Sequence, residues 1–83
     1  MSAMASFLLE HRHEPGKCGV AFAAFRGHAS PLRHADAIAS CVAGGHAVWW
    51  VVEAESPQAA LGLLPHYVAQ RSTAIPVRKV HIP

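Results

Sequence analysis

The chain is poor in acidic residues, in clusters of basic residues and in long apolar runs. It has five Asp and Glu residues, too few to suggest a dedicated carboxylate cage for magnesium or calcium. Its seven Lys and Arg residues are scattered, which argues against a nucleic-acid-binding surface. No apolar stretch reaches the roughly 18 residues that a membrane-spanning helix needs. We therefore expect neither a nucleic-acid partner nor a membrane partner.

Cysteine is also scarce, with only Cys18 and Cys41 in the chain. The N-terminal segment has no basic region before its short apolar run, so it does not have the pattern of a secretory signal peptide. We therefore expect a cytoplasmic protein in which both thiols stay reduced. Both cysteines lie among apolar or small residues, and the simplest interpretation is that each is a small buried core residue.

Apolar residues are plentiful for a chain of this size. Of 83 residues, 52% are hydrophobic and 14% are charged. A domain this small buries only about 60% of the surface that its unfolded chain exposes. We therefore expect a single domain over residues 1–83 whose surplus apolar surface is covered in a homodimer.

The pattern of apolar residues and turn residues predicts two helices and four strands. Cys18, Ala21, Phe22 and Phe25 form a helical stripe, and Ser56 followed by Pro57 is a typical helix start. Pro65 should end or kink the second helix. The predicted order is strand 6–13, helix 18–27, connection 28–37, two strands within 38–55, helix 56–70 and strand 74–83.

This order predicts an α+β fold of the ferredoxin-like βαββαβ type. Such a domain has an antiparallel four-stranded sheet with two helices on one face. The other face of the sheet is then bare, and we expect a second copy of the chain to cover it.

Residues 48–83 carry a resemblance to a known group of proteins. The segments "VVEAESPQAALGLLPHYV" and "IPVRKVHIP" resemble the third strand, second helix and last strand of the dimeric α/β-barrel superfamily. Muconolactone isomerases, antibiotic-biosynthesis monooxygenases, YciI-type proteins and small nickel-binding proteins belong to it or lie close to it. The resemblance implies a homodimeric barrel. It does not select one function, because these proteins include both enzymes and binding proteins.

The period of a strand predicts which side chains share a face of the sheet. A hairpin turn at Gly44-Gly45 would pair Ala43 with His46 and Cys41 with Val48. One face of the hairpin then carries Cys41, His46 and Trp50, and the other carries Ser40, Val42, Trp49, Val51 and Glu53. The first strand divides into Phe7, Leu9, His11 and His13 on one face and Leu8, Glu10 and Arg12 on the other.

The seven histidines suggest a binding protein that holds a transition metal or a small ligand in a histidine-rich pocket. His11 and His13 lie two residues apart on the same side of the first strand, and Cys41 and His46 complete a candidate ligand set. Imidazole and thiolate ligands suit zinc, nickel or copper. The alternative is that the two histidines lie near a strand end and contact water or Glu14.

A second hypothesis is a cofactor-free enzyme, similar to an isomerase or a monooxygenase, that acts on a small anionic or aromatic substrate. Arg33 can hold a carboxylate, and His34 or His66 can act as a general base near neutral pH. Trp50 and Tyr67 are the further ligand-binding candidates. A structural module without chemistry is the third interpretation, and the sequence leaves all three open.

Overall fold

The computed structural model describes residues 4–41 and 44–83. Within them lie seven elements: β1 (Ala5–Arg12), α1 (Cys18–Ala23), β2 (Ile38–Ala39), β3 (Ala47–Ala54), α2 (Pro57–Leu61), α3 (His66–Ala69) and β4 (Ser72–Val77). The strands form one antiparallel sheet in the order β2-β3-β1-β4. The predicted α+β class and the antiparallel four-stranded sheet are therefore confirmed.

Among the described residues, no helix has the length and apolar character required to cross a membrane.

The sheet has one buried face, and the strand period decides which residues occupy it. In the centre of the sheet, Leu9 of β1 pairs with Trp50 of β3 on one side and with Ala74 of β4 on the other. The buried face of the two long strands carries Phe7, Leu9, His11, Val48, Trp50 and Val52. This division between the faces is the one that the sequence predicts.

The hairpin register differs from the prediction. β2 pairs Ile38 with Trp49 and Ala39 with Val48, so the pairing of Cys41 with Val48 was wrong by two residues. A shift of two residues keeps every side chain on its predicted face. The proposed partner Ala43, like Val42, lies outside the described residues.

The reason for the shift is a loop longer than the predicted Gly-Gly turn. Ser40 begins the loop, and its backbone N–H donates to the carbonyl of Ala47 over 2.9 Å. Within the loop, the N–H of Gly45 donates to the carbonyl of Ser40 over 2.8 Å, and the N–H of Gly44 donates to the carbonyl of Cys41 over 3.0 Å. The left-handed backbone is at Gly44 and His46, with φ values of 84° and 56°.

The helices are shorter than predicted, and the described residues contain three of them where two were expected. α2 begins as expected, because Oγ of Ser56 accepts a hydrogen bond from the N–H of Ala59 over 3.0 Å. It ends at Leu61 with Gly62 as its cap, and α3 starts only after Pro65, which has no N–H to continue a helix. The first helix likewise ends at Ala23, before the predicted end at residue 27.

Ala60 of α2, Val68 of α3 and Leu64 between the two helices are almost fully buried, in one core cluster with the inward side chains of the sheet. The outer face of the sheet is different. It exposes Ile38, Val51 and Ile75 around the half-buried Leu8 and Trp49.

Candidate metal centre

Three segments that are far apart in the sequence meet at one end of the sheet. His13 follows β1 directly, Cys18 is the first residue of α1, and His46 directly precedes β3. The backbone N–H of His13 donates to the carbonyl of His46 over 3.1 Å, which extends the β1–β3 pairing by one more step. A turn closed by the N–H of Lys17 and the carbonyl of Glu14 then returns the chain so that Cys18 faces His13.

The donor atoms of His13, Cys18 and His46 all lie within 4.8 Å of one another. The Sγ atom of Cys18 is 3.0 Å from Nε2 of His13 and 3.5 Å from Nδ1 of His46. Zinc–nitrogen bonds of about 2.0–2.1 Å and zinc–sulfur bonds of about 2.3 Å place tetrahedral ligand atoms about 3.3–3.8 Å apart. The three donors therefore already have nearly the spacing that one tetrahedral ion requires.

Cys41 lies beside these three donors, with its Sγ atom 3.3 Å from Nε2 of His13. It is not one of the three residues whose donor atoms all lie within 4.8 Å of one another. Cys41 lies in the loop between β2 and β3, so the hairpin brings it back towards the end of β1. We call His13, Cys18, Cys41 and His46 the His/Cys cluster.

The electrostatic environment favours the neutral forms of His13 and Cys41. Burial lowers the pKa of His13, and the nearby His46 lowers it further. Burial raises the pKa of Cys41, as does its hydrogen bond with Cys18. A neutral His13 has a free lone pair on Nε2, which accepts from the thiol groups, and its ring proton is then on Nδ1. A neutral imidazole is also the form that binds a metal ion.

His11 lies behind this cluster. The sequence prediction made it a ligand, but its Nδ1 atom points to the carbonyl of Val68 at 3.3 Å and to Oγ of Ser72 at 3.3 Å. Its ring is 5.1 Å from that of His13, measured between ring centroids. Nε2 of His11 and Nδ1 of His13 are both buried, and neither has a hydrogen-bond partner among the described residues.

Cys18 is the cluster member that sequence reasoning missed, because its place in the apolar stripe of α1 suggested a core residue. The structure places it half-buried, with its sulfur against two imidazoles. The sequence feature that could have identified Cys18 is local. His13 and Cys18 are five residues apart, and a Pro15-Gly16 turn separates them. The sequence also suggested Glu14 as a contact of the two histidines. Glu14 is exposed, and the side chain of His13 instead contacts the thiols of Cys18 and Cys41.

The residues of the enzyme hypothesis are only partly brought together. Arg33, His34 and Trp50 line a hollow of about 420 Å³ beside α1. His66 and Tyr67 lie on α3 and do not line it. His66 is exposed, and the Tyr67 ring is covered by the guanidinium of Arg71 at 4.0 Å. Arg33, His34 and Trp50 therefore lie together, whereas His66 and Tyr67 lie elsewhere, on α3.

Comparisons of this chain with protein-family models, with curated proteins and with solved structures give no match. The resemblance to dimeric α/β-barrel proteins stays a prediction.

Proposed function

We propose that this protein binds a transition metal ion through His13, Cys18 and His46, with Cys41 as the fourth ligand. The observation that carries the proposal is that nitrogen and sulfur donors from three separate segments lie within 4.8 Å of one another. Mixed imidazole and thiolate ligands select zinc, copper or nickel over magnesium and calcium. Zinc fits best, because the donor spacing matches a small tetrahedral site.

The number of protein ligands determines what the ion does. Four protein ligands give a closed site, which holds a metal without leaving a position for substrate. The distance of 3.3 Å from Cys41 to His13 favours this closed form. The protein is then a small metal-binding protein of the cytoplasm, where thiols stay reduced and available as ligands.

The proposal includes a ferredoxin-like fold and a homodimer. The strand order β2-β3-β1-β4 and the packing of α2 and α3 on one face support the fold. The exposed apolar side chains Ile38 and Val51 on the outer face support the dimer. A second copy that covers this face would leave the His/Cys cluster in each subunit intact, because His13 and Trp50 lie on the opposite face.

Metal content is the direct test. We expect untagged protein purified without chelator to contain about one zinc, copper or nickel ion per chain, as measured by elemental analysis. The Cys18→Ser variant should lose most of this metal, because it removes the donor that contacts both histidines. His13→Ala should also lose most of the metal, because it removes a ligand. His66→Ala is its matched control, since His66 is exposed and outside the cluster.

Two outcomes would contradict the metal proposal. One is wild-type protein that neither contains metal nor binds added zinc, copper or nickel in a titration. The other is a Cys18→Ser variant that binds each metal as tightly as the wild type. Circular dichroism of every variant separates loss of the site from loss of the fold.

A further inference from the structure

A hollow of about 420 Å³ lies beside α1 and apart from the His/Cys cluster. Its walls come from the segment that follows α1, from the loop 28–37 and from β3. None of its lining residues belongs to the His/Cys cluster. Its volume is within the range of about 300–1,000 Å³ that is typical of small-molecule pockets.

The inner wall of the hollow is aromatic. The Trp50 indole is buried and lies 5.8 Å from the Phe25 ring, measured between centroids. At the opening, Phe22 is 48% exposed, which is high for a large apolar side chain. A flat apolar ligand would cover Phe22 and add a ring to the tilted pair that Phe25 and Trp50 form.

The rim of the hollow is cationic. Arg26 and Arg33 both line it, and within residues 4–41 and 44–83 neither guanidinium is paired with a carboxylate. The acidic residue nearest in sequence, Asp36, lines a neighbouring groove instead. A guanidinium binds a carboxylate through two parallel hydrogen bonds, which makes an organic carboxylate the matching anion.

The loop that carries Arg33 is anchored before any ligand arrives. Oγ of Ser30 donates to the carbonyl of Leu63 over 2.6 Å and accepts from the N–H of Leu32 over 3.1 Å. His34, next to Arg33, has a φ of 66°, in the left-handed region that non-glycine residues seldom occupy. An anchored loop with such a residue at its tip holds the rim in one shape, which reduces the entropy lost on binding.

We propose that this hollow binds a small aromatic carboxylate, with its ring against Phe22, Phe25 and Trp50 and its carboxylate on Arg26 and Arg33. Two observations support this proposal. The hollow has an aromatic wall, and among the described residues the two guanidinium groups that line it are not paired with a carboxylate. This site stands independently of the metal proposal, because the two share no residue.

The test compares two probes of nearly equal shape, 1-naphthoate and the uncharged 1-naphthamide, by isothermal titration calorimetry. We expect saturable binding of 1-naphthoate, about tenfold or more tighter than that of 1-naphthamide. The Arg26→Gln, Arg33→Gln double variant should weaken 1-naphthoate by about the same factor and leave 1-naphthamide unchanged. Arg78→Gln is the matched control, since Arg78 is exposed and does not line the hollow.

The proposal is overturned if the two probes bind equally, if neither binds, or if the double variant binds 1-naphthoate like the wild type. Equal weakening by Arg78→Gln would also overturn it, because the effect would then be general charge attraction. Backbone amide shifts give the location: we expect changes at residues 32–37, and changes confined to Leu8 and Val51 would place the ligand elsewhere. Chelator-treated protein should bind both probes as the untreated protein does. Failure of this proposal is therefore distinguishable from failure of the metal proposal.

Discussion

His11 and His13 are both inward-facing histidines of the β1 segment, yet they have different partners. Because a carbonyl only accepts, the contact with Val68 places the proton of His11 on Nδ1 and leaves a lone pair on Nε2. His13 has the same tautomer when its Nε2 atom binds a thiol or a metal ion, but its unpartnered atom is then the N–H at Nδ1. One buried atom is an acceptor and the other is a donor, and their rings are 5.1 Å apart between centroids, so we expect the two atoms to interact directly or through a water molecule.

This complementarity predicts a supporting role for His11. The variant His11→Phe keeps a buried ring of similar size but removes the acceptor that orients His13. Loss of such an orienting partner typically weakens metal binding by about 10–100-fold. We expect this loss in competition with a chromogenic chelator, with the number of ions per chain unchanged. The prediction would be contradicted if His11→Phe bound metal with unchanged affinity, or if it lost the metal completely, as expected for Cys18→Ser. His66→Phe is the control.

Cys41 decides whether the site has three or four protein ligands. With cobalt as a spectroscopic substitute for zinc, thiolate-to-metal absorption in the near ultraviolet increases with the number of bound thiolates. We expect Cys41→Ser to retain cobalt with about half of this absorption, because one of two thiolates is lost. Unchanged absorption would show that Cys41 is not a ligand and that the site has an open position.

A pH-dependent contact lies on the other face of β1. Glu10 accepts a hydrogen bond from Nε1 of Trp49 over 3.1 Å, and this bond, together with the neighbouring Arg12, lowers the pKa of Glu10. A lowered carboxyl pKa stabilises the folded state above the ordinary carboxyl pKa. That stability is lost as the pH falls through the lowered value.

We therefore expect the indole N–H resonance of Trp49 to titrate with a midpoint below the ordinary pKa of a glutamate. The resonance of Trp50 is the internal control, since Glu10 does not contact it. In Glu10→Gln this titration should disappear. A titration midpoint at or above the ordinary glutamate pKa would show that the hydrogen bond from Trp49 does not lower the pKa of Glu10.

At the scale of elements, the turn from β1 into α1 positions Cys18. Gly16 in this turn has a φ of 83°, whereas Gly19 inside α1 has no such constraint, and an added Cβ would meet no atom within 4 Å at either position. Gly16→Ala therefore tests backbone conformation alone. A left-handed conformation costs an ordinary residue roughly 1–2 kcal/mol.

We expect Gly16→Ala to lower the free energy of unfolding by about that amount and to weaken metal binding, because the turn sets the approach of Cys18 to His13. Gly19→Ala should be neutral or stabilising by up to about 1 kcal/mol, since alanine favours helix. Chemical denaturation and zinc titration of both variants check this. Equal behaviour of the two variants would mean that the turn does not position the cysteine.

The elements also show which parts of the fold could be predicted from the sequence. The apolar pattern of β1 and β3 is local, with a period of two, so it predicted both strands and how their side chains divide between the two faces. The ends of the helices and the hairpin register were not predictable in this way. They depend on hydrogen bonds between distant residues, such as that from the N–H of Ser40 to the carbonyl of Ala47.

The candidate site was partly predictable for the same reason. His13 and His46 lie at predicted strand ends on the predicted face, and Cys41 lies in the predicted hairpin. Cys18 was missed because its position on the apolar stripe of the first helix already explained it as a buried core residue. His11 was assigned as a ligand because the period alone does not show that only His13, beyond the end of the strand, reaches the start of α1.

At the scale of the whole molecule, the proposed homodimer depends on the outer face of the sheet. Val51 and Ile38 are 69% and 73% exposed, and the half-buried Trp49 and Leu8 lie beside them. Burying one Val or Ile side chain fully is worth about 1.5–3 kcal/mol, so a few of them across a two-fold axis favour association. Two such faces packed together would also cover apolar surface that a chain of this size cannot bury alone.

Val51→Lys places a charge at the centre of this face, and it leaves the buried face unchanged. We expect light scattering to give twice the mass of one chain for the wild type and the mass of a single chain for Val51→Lys, with an unchanged circular dichroism spectrum. Val20→Lys is the matched control, because Val20 is exposed on α1 and not on the sheet. A wild-type monomer, or equal dissociation by both variants, would show that the outer face does not bind a second copy.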